Sequence, residues 1–278
     1  ASDVYKRQHP LLIALRASLM QAQTTTQKQL QANTSDLQNE TLRPTSSRLT
    51  SLWLRGSVVR LPVDAIYFIS LKKASQRRSR LLQHLKVLTD EHGYAPRWHV
   101  ANDGNRPGHA IDNSIKRERK RPNMSIGEIG CCASHREVWT KIVHYGHETT
   151  LILEDDARFN WPKLQTLVDN WDKLPEFDFL HLGWEYYAGY KKQTIEKVDI
   201  PELPNLWKGD GMWLTHAYII TNHCALDWLQ KTVVQTNGLD AMTADMQSDC
   251  KAYGFKPSIA YQERGTSGTL RSSIHHTG

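Results

Sequence analysis

Three consecutive carboxylates, Glu154-Asp155-Asp156, follow the apolar run Leu151-Ile152-Leu153. Acids at the end of a buried strand are costly to hold unless something neutralises them. A hard divalent cation does so, using oxygen ligands and the phosphates of a bound substrate. Alternate residues of an extended chain face the same way. Glu154 and Asp156 are therefore the metal-ligand candidates, and Asp155 points elsewhere. On the pattern alone, a charged and solvated strand end explains the cluster equally well.

Further candidates lie on either side. Ile129, Cys132, Trp139 and Ile142 form an apolar stripe at helical spacing, and His135 falls on it. A histidine on such a stripe is ordinarily a satisfied core residue. This helix leads straight into the acidic strand, however, so His135 or Ser134 can reach a nucleotide or a metal. Lys72, Lys73, Arg77, Arg78 and Arg80 follow the first apolar strand and could meet phosphates or a base. A solvated helix face accounts for most of them. Neither GxGxxG nor GxxxxGK[ST] is present, so there is no dinucleotide fingerprint and no P-loop. Glu185 stands in Gly183-Trp-Glu-Tyr-Tyr187, which reads either as aromatics flanking a sugar or as a surface loop. Asp240 and Asp245 are two late acids, and His275 and His276 either complete a metal site or do nothing.

The elements that must position these residues alternate in type. Ala65 to Leu71 is a buried-type strand. Leu81, Leu82, Leu85 and Leu88 mark a helix stopped at Gly93. Arg97 to Val100 is a second strand. Asn102 to Asn123, with the run Lys116 to Arg121, reads as a charged loop. Ser125 and Glu128 form a capping box, opening a helix to about Tyr145 with Gly146 as its stop. Strands follow at Thr149 to Leu153, Phe177 to Leu182 and Met212 to Ile220. Helices are expected over Asn222 to Val234 and Asp240 to Tyr253. A last strand runs from Ser258 to Tyr261, and Gly265 to Gly268 is a flexible segment. This order predicts an α/β fold with a mainly parallel sheet.

Composition sets limits. The chain has 278 residues, with 39% hydrophobic, 23% charged and a net charge of +6. That suffices for one large α/β domain, and a basic balance suits anionic partners without choosing among them. Residues 1–60 read as a polar extension or stem, partly disordered and rich in Gln, Thr, Ser and Asn from Gln21 to Ser51. Residues 61–278 form the globular part. No run of eighteen apolar residues predicts a transmembrane helix. The four cysteines show no CxxC spacing, which argues against a zinc or disulfide framework and leans toward a reducing compartment.

The motifs together resemble glycosyltransferase family 25, which includes bacterial lipooligosaccharide galactosyltransferases and the collagen galactosyltransferases. Ile69-Ser-Leu71 with Arg77-Arg78 is similar to the family's opening "INL…R…R", with Ser70 where Asn is common. Gly127-Glu128-Ile129-Gly130-Cys131 with Ser134-His135 is close to "GExGCxxSH", and Leu151 to Ala157 to "LILEDDA". Ala217-Tyr218-Ile219-Ile220 with Ala225 is similar to "AYLIS…GA". Asp240, Pro257 to Gln262 and Ser267 follow "D…P.IA.Q…S". The matches keep their order from about Ile66 to Ser267.

This resemblance implies a GT-A-type, Rossmann-like mixed sheet flanked by helices. It implies an inverting transfer of a sugar, usually galactose, from a UDP-sugar to a glycan, lipid-linked or protein-linked acceptor. Mn²⁺ or Mg²⁺ would be held by Glu154 and Asp156. Donor contacts fall to Ser70, Arg78, Ser134, His135 and Asp155. The catalytic base is Asp240 first and Glu185 second, and Asp240 is alternatively a further metal ligand. A cytoplasmic enzyme is expected, with peripheral contact at the inner face of the membrane. Two competing readings remain. One is a nucleic-acid-binding or nucleotidyl-transferring protein, against which the basic residues lack interleaved aromatics, so no nucleic acid is expected. The other is an inactive family member acting as an interaction module.

Overall fold

The computed structural model describes residues 58–104, 116–117, 124–187 and 194–263. The N-terminal extension up to residue 57, most of the charged loop, the Gly265 to Gly268 segment, Ser267 and the two tail histidines lie outside the described residues.

β1 (Ala65–Ser70) is buried along its whole length. Ile66 and Phe68 enter one core, while Ala65, Tyr67 and Ile69 enter another. A strand covered on both faces needs apolar residues throughout, and this explains its unbroken run. β2 (Arg97–Val100) and β3 (Thr149–Glu154) flank it in parallel. The central sheet also takes in β5 (Phe179–His181), β6 (Thr194–Lys197), β7 (Leu206–Asp210), β8 (Ala217–Thr221) and β9 (Ala252–Phe255). Its order is β2-β1-β3-β8-β5-β9-β7-β6. Only β7 and β8 run against the other six, so the sheet is mixed and mainly parallel, as expected. A separate two-stranded ladder joins β4 (Ala157–Phe159) to β10 (Ala260–Gln262).

Helices cover both faces. α1 (Ser75–His84) and α3 (Trp161–Asp169) bring Leu81, Leu164 and Leu167 to the first core. α2 (Ile126–Tyr145), α4 (Asn222–Lys231) and α5 (Leu239–Met246) bring Trp139, Trp228 and Met242 to the second. The capping box of α2 is present. The Ser125 side chain accepts from the Glu128 amide, and Glu128 returns a bond to the Ser125 amide. Gly146 closes the helix in the left-handed region at φ 68°. Among the described residues, no helix is long and apolar enough to cross a membrane.

Several boundaries differ from the sequence reading. α1 ends at His84, a 3-10 turn carries Leu85, and Leu88 lies in a short strand. Gly93 serves a surface turn at φ 84° rather than a helix stop. The run from Met212 enters the sheet only at Ala217, because Leu214 takes φ 86°, which no strand accommodates. The helix expected to reach Tyr253 stops at Met246, and Ala252–Phe255 is a sheet strand. β4, β6 and β7 were not legible in the sequence.

Candidate active site

The parallel register decides where the chemistry lies. Ile69 pairs with Glu154, and Ser70 with Val100. β8 runs antiparallel to β3, with Ala217 opposite Leu153, so Thr215 and His216 enter at the same edge. The carboxyl ends of β1, β2 and β3 therefore meet the entry of β8. In open α/β sheets this is the edge at which ligands bind. A cavity of about 330 Å³ opens there, lined among others by Ser70, Arg77, Ser134, Glu154, Asp155 and Asp156.

The strand ends at Glu154, and Asp155-Asp156 form a turn. Strict alternation therefore stops at Glu154, yet Asp155 does have its own partners. It accepts from Ser70 Oγ at 2.8 Å and pairs with Arg77 Nη2 at 3.1 Å. Burial still pushes its carboxyl above the ordinary value, against the pull of Arg77 and Ser70. Arg77 and the residue's own amide pull the Asp156 carboxyl down, but its Oδ1 is buried without a hydrogen-bond partner. Burial, then the charges of Glu154 and Asp155, push its carboxyl up to about 7.

Glu154 sits in a polar network. Burial pushes it up, but the imidazoles of His135 and His216 and the Thr215 hydroxyl together hold it below its ordinary value. Trp139 Nε1 donates to the Tyr218 hydroxyl at 2.9 Å, and that hydroxyl lies 2.8 Å from His135 Nδ1. Because indole only donates, the phenol proton is available for Nδ1. His135 Nε2 faces Glu154 Oε1 at 3.5 Å. The buried histidine on the apolar stripe thus lies against the acid, and it also lines the cavity.

Thr215 was not singled out by the sequence, and no motif marks it. Its Oγ1 lies 2.9 Å from Glu154 Oε1 and 2.9 Å from Asp240 Oδ1. One hydroxyl carries one proton, so it cannot donate to both carboxylates at once. This contact brings Asp240, in the first turn of α5, to the acidic cluster. Asp245, on the same helix, is exposed. Glu185 is exposed too, and its backbone bridges to Trp213, two residues before Thr215.

Other donor candidates are placed differently. Arg78 donates to the Leu71 carbonyl at 3.1 Å and stacks 4.0 Å over the Trp98 ring. Arg77, not Arg78, lines the cavity. Ser134 lines it as well, but its hydroxyl donates to the Gly130 carbonyl at 2.6 Å and accepts from the Asn102 amide at 2.8 Å. It latches α2 to the segment after β2 and has little capacity left for a ligand.

The lining counts four carboxylates, Asp103, Glu154, Asp155 and Asp156, against two cations, Lys73 and Arg77. A cavity with an excess of two acids lies within a chain whose net charge is +6. Lys73 and Arg77 are moreover paired to Asp103 and Asp155. The orphaned oxygen of Asp156 and the shared Thr215 proton both fit a hard divalent ion with oxygen ligands. Cys131, His135 and Glu154 also offer ligand atoms within 4.8 Å of one another. Burial and the nearby Glu154 and Asp240 push the Cys131 thiol well above its ordinary value.

The glycosyltransferase family 25 model (LPS biosynthesis protein) matches residues 63–247. The chain belongs to glycosyltransferase family 25. Human (Homo sapiens) procollagen galactosyltransferase 2 is 32% identical over 186 residues, covering 61% of this chain and 27% of that protein. Zebrafish (Danio rerio) procollagen galactosyltransferase 1 is 28% identical over 174 residues, covering 57% of this chain and 27% of that one. A family 25 member of Drosophila melanogaster is 26% identical over 181 residues, covering 61% and 28%. The chain thus spans about a quarter of the length of these curated relatives. The family match contains every cavity acid and Asp240.

Proposed function

We propose that the chain transfers galactose from UDP-galactose, with inversion, to a hydroxyl of a glycan or glycoconjugate, and that it requires Mn²⁺ or Mg²⁺. The observation that carries this reading is the uncompensated acid cluster. A nucleotide diphosphate is an anion, and a cavity with an excess of acids repels it unless a cation enters too. Glu154 and Asp156 would hold that cation. When bound, it supplies charge stabilisation for the diphosphate leaving group.

The protein's own groups take the remaining roles. Arg77 and Ser70 hold Asp155 in place, so the turn presents Asp156 to the cavity. His135 fixes Glu154. Asp240 is the proposed base for the acceptor hydroxyl, because Thr215 Oγ1 ties its carboxylate to Glu154. Glu185, exposed and bridged through its backbone to Trp213, is the second candidate. The relatives named procollagen galactosyltransferases support the sugar. A basic net charge supports peripheral contact with an anionic membrane face.

The raised Asp156 carboxyl gives a pH signature. Its proton must leave before a cation can bind. Cation affinity should therefore fall about tenfold per pH unit as pH drops below about 7. The ion-free protein should behave in the opposite sense. Unfolded Asp ionises near its ordinary value while folded Asp156 keeps its proton, so this group removes stability as pH rises toward about 7. Mn²⁺ titrations followed by calorimetry between pH 5.5 and 8 test the first, and melts without metal test the second.

UDP release from UDP-galactose with Mn²⁺ and a panel of glycan and peptide acceptors tests the function. Metal-dependent release that rises with one acceptor is expected. No release with any acceptor, together with no UDP binding, would sink the reading.

A further inference from the structure

We infer that Tyr186, Tyr187 and Trp213 form a stacking subsite for a neutral or acidic pyranose of the acceptor. This rests on the donor reading above, because the subsite matters by presenting a sugar hydroxyl to that cavity. Tyr186 and Tyr187 are consecutive large aromatics, 50% and 51% exposed. Tyr187 packs on Trp213 with ring centroids 4.6 Å apart, and Tyr186 on Trp184 at 5.4 Å. Tyr187, half exposed beside Trp213, offers aromatic surface that suits the C–H face of a sugar ring.

Position ties this platform to the site. The Glu185 amide donates to the Trp213 carbonyl at 3.2 Å, and the Trp213 amide donates back to the Glu185 carbonyl at 3.3 Å. Thr215, two residues beyond Trp213, touches both Glu154 and Asp240. Between them Leu214 is held at φ 86°, the one non-glycine residue with positive φ among the described residues. Such strain persists where surrounding structure enforces it, and it clusters at ligand sites. Here the unusual backbone sends Trp213 to the platform and Thr215 to the acids.

Charge narrows the occupant. Lys256 Nζ lies 4.1 Å over the Tyr186 ring and 5.6 Å over Trp184. An ammonium already held on those faces repels a cationic acceptor such as a hydroxylysyl side chain. It welcomes a sugar hydroxyl or carboxylate, which can accept its proton.

Saturation-transfer NMR tests this with the methyl glycosides of glucose, galactose and mannose, since stacking tolerates epimers. Transfer to the ring C–H protons is expected with the wild type. Tyr187→Ala should lower it at least fivefold with an unchanged melting temperature, and Tyr187→Phe should retain it. The inference is overturned if no glycoside receives saturation, or if Tyr187→Ala leaves the signal intact. Binding of a hydroxylysyl peptide that Tyr187→Ala abolishes overturns it as well. Wild-type calorimetry with UDP and Mn²⁺ runs beside it, so a failed donor site is told apart from a failed sugar platform.

Discussion

Replacing Asp156 by Asn should abolish Mn²⁺-dependent UDP binding and yet raise the melting temperature of the metal-free protein at pH 8. The two effects have one cause. At that pH the buried Asp156 carboxylate is ionised beside Glu154 and Asp155, and its Oδ1 finds no hydrogen-bond partner. The amide keeps the shape and removes the charge that the fold does not compensate. Removing such repulsion stabilises by about 1 kcal/mol, or ~2–4 °C for a domain of this size. The same charge is what a divalent ion needs, so turnover should fall by ~100-fold or more, the scale on which loss of metal-site support acts. Thermal melts and UDP-release assays on the pair of proteins check both halves. A variant that is less stable, or as active as the wild type, would contradict this account of Asp156.

Gly130→Ala should destabilise the domain and weaken nucleotide binding together. A Cβ at Gly130 would sit 2.6 Å from the Asn102 carbonyl and 3.2 Å from the Gly104 amide nitrogen. Both neighbours are backbone, so no side chain can swing aside. The Ser134 hydroxyl holds the two segments at this spacing by bonding Gly130 and Asn102. The added methyl pushes away residues 101–104, which form one wall of the cavity. Overpacking of this kind costs about 2–3 kcal/mol, or roughly 5–10 °C. Ser134→Ala loosens the same latch without pushing and should cost only about 1 kcal/mol. An unchanged melting temperature for Gly130→Ala would show that the wall yields freely.

The helix, the acidic strand and the edge at which they meet were legible because local chemistry writes them. Ser125, Glu128 and Gly146 mark both ends of α2, and the unbroken apolar runs of β1 and β3 mark strands buried on both faces. Glu154-Asp155-Asp156 announced the site by its cost. The contacts that complete it were not legible, because they are tertiary. Thr215 is an ordinary threonine until β8 runs antiparallel to β3. Arg77 and Arg78 are neighbours whose roles separate only when Trp98 takes one and Asp155 the other. Ala252–Phe255 read as a continuing helix because its strand character comes from pairing with β5 and β7. His135 kept its ordinary reading in part, since it is buried and bonded to Tyr218, while its other nitrogen faces Glu154.

Calorimetry of UDP binding, with Mn²⁺ and with EDTA, on the wild type and Asp156→Asn tests the central claim most directly. The acid-rich cavity predicts binding to the wild type only when Mn²⁺ is present, and none to the variant in either condition. UDP binding of equal strength in EDTA, or retained by Asp156→Asn, would contradict it.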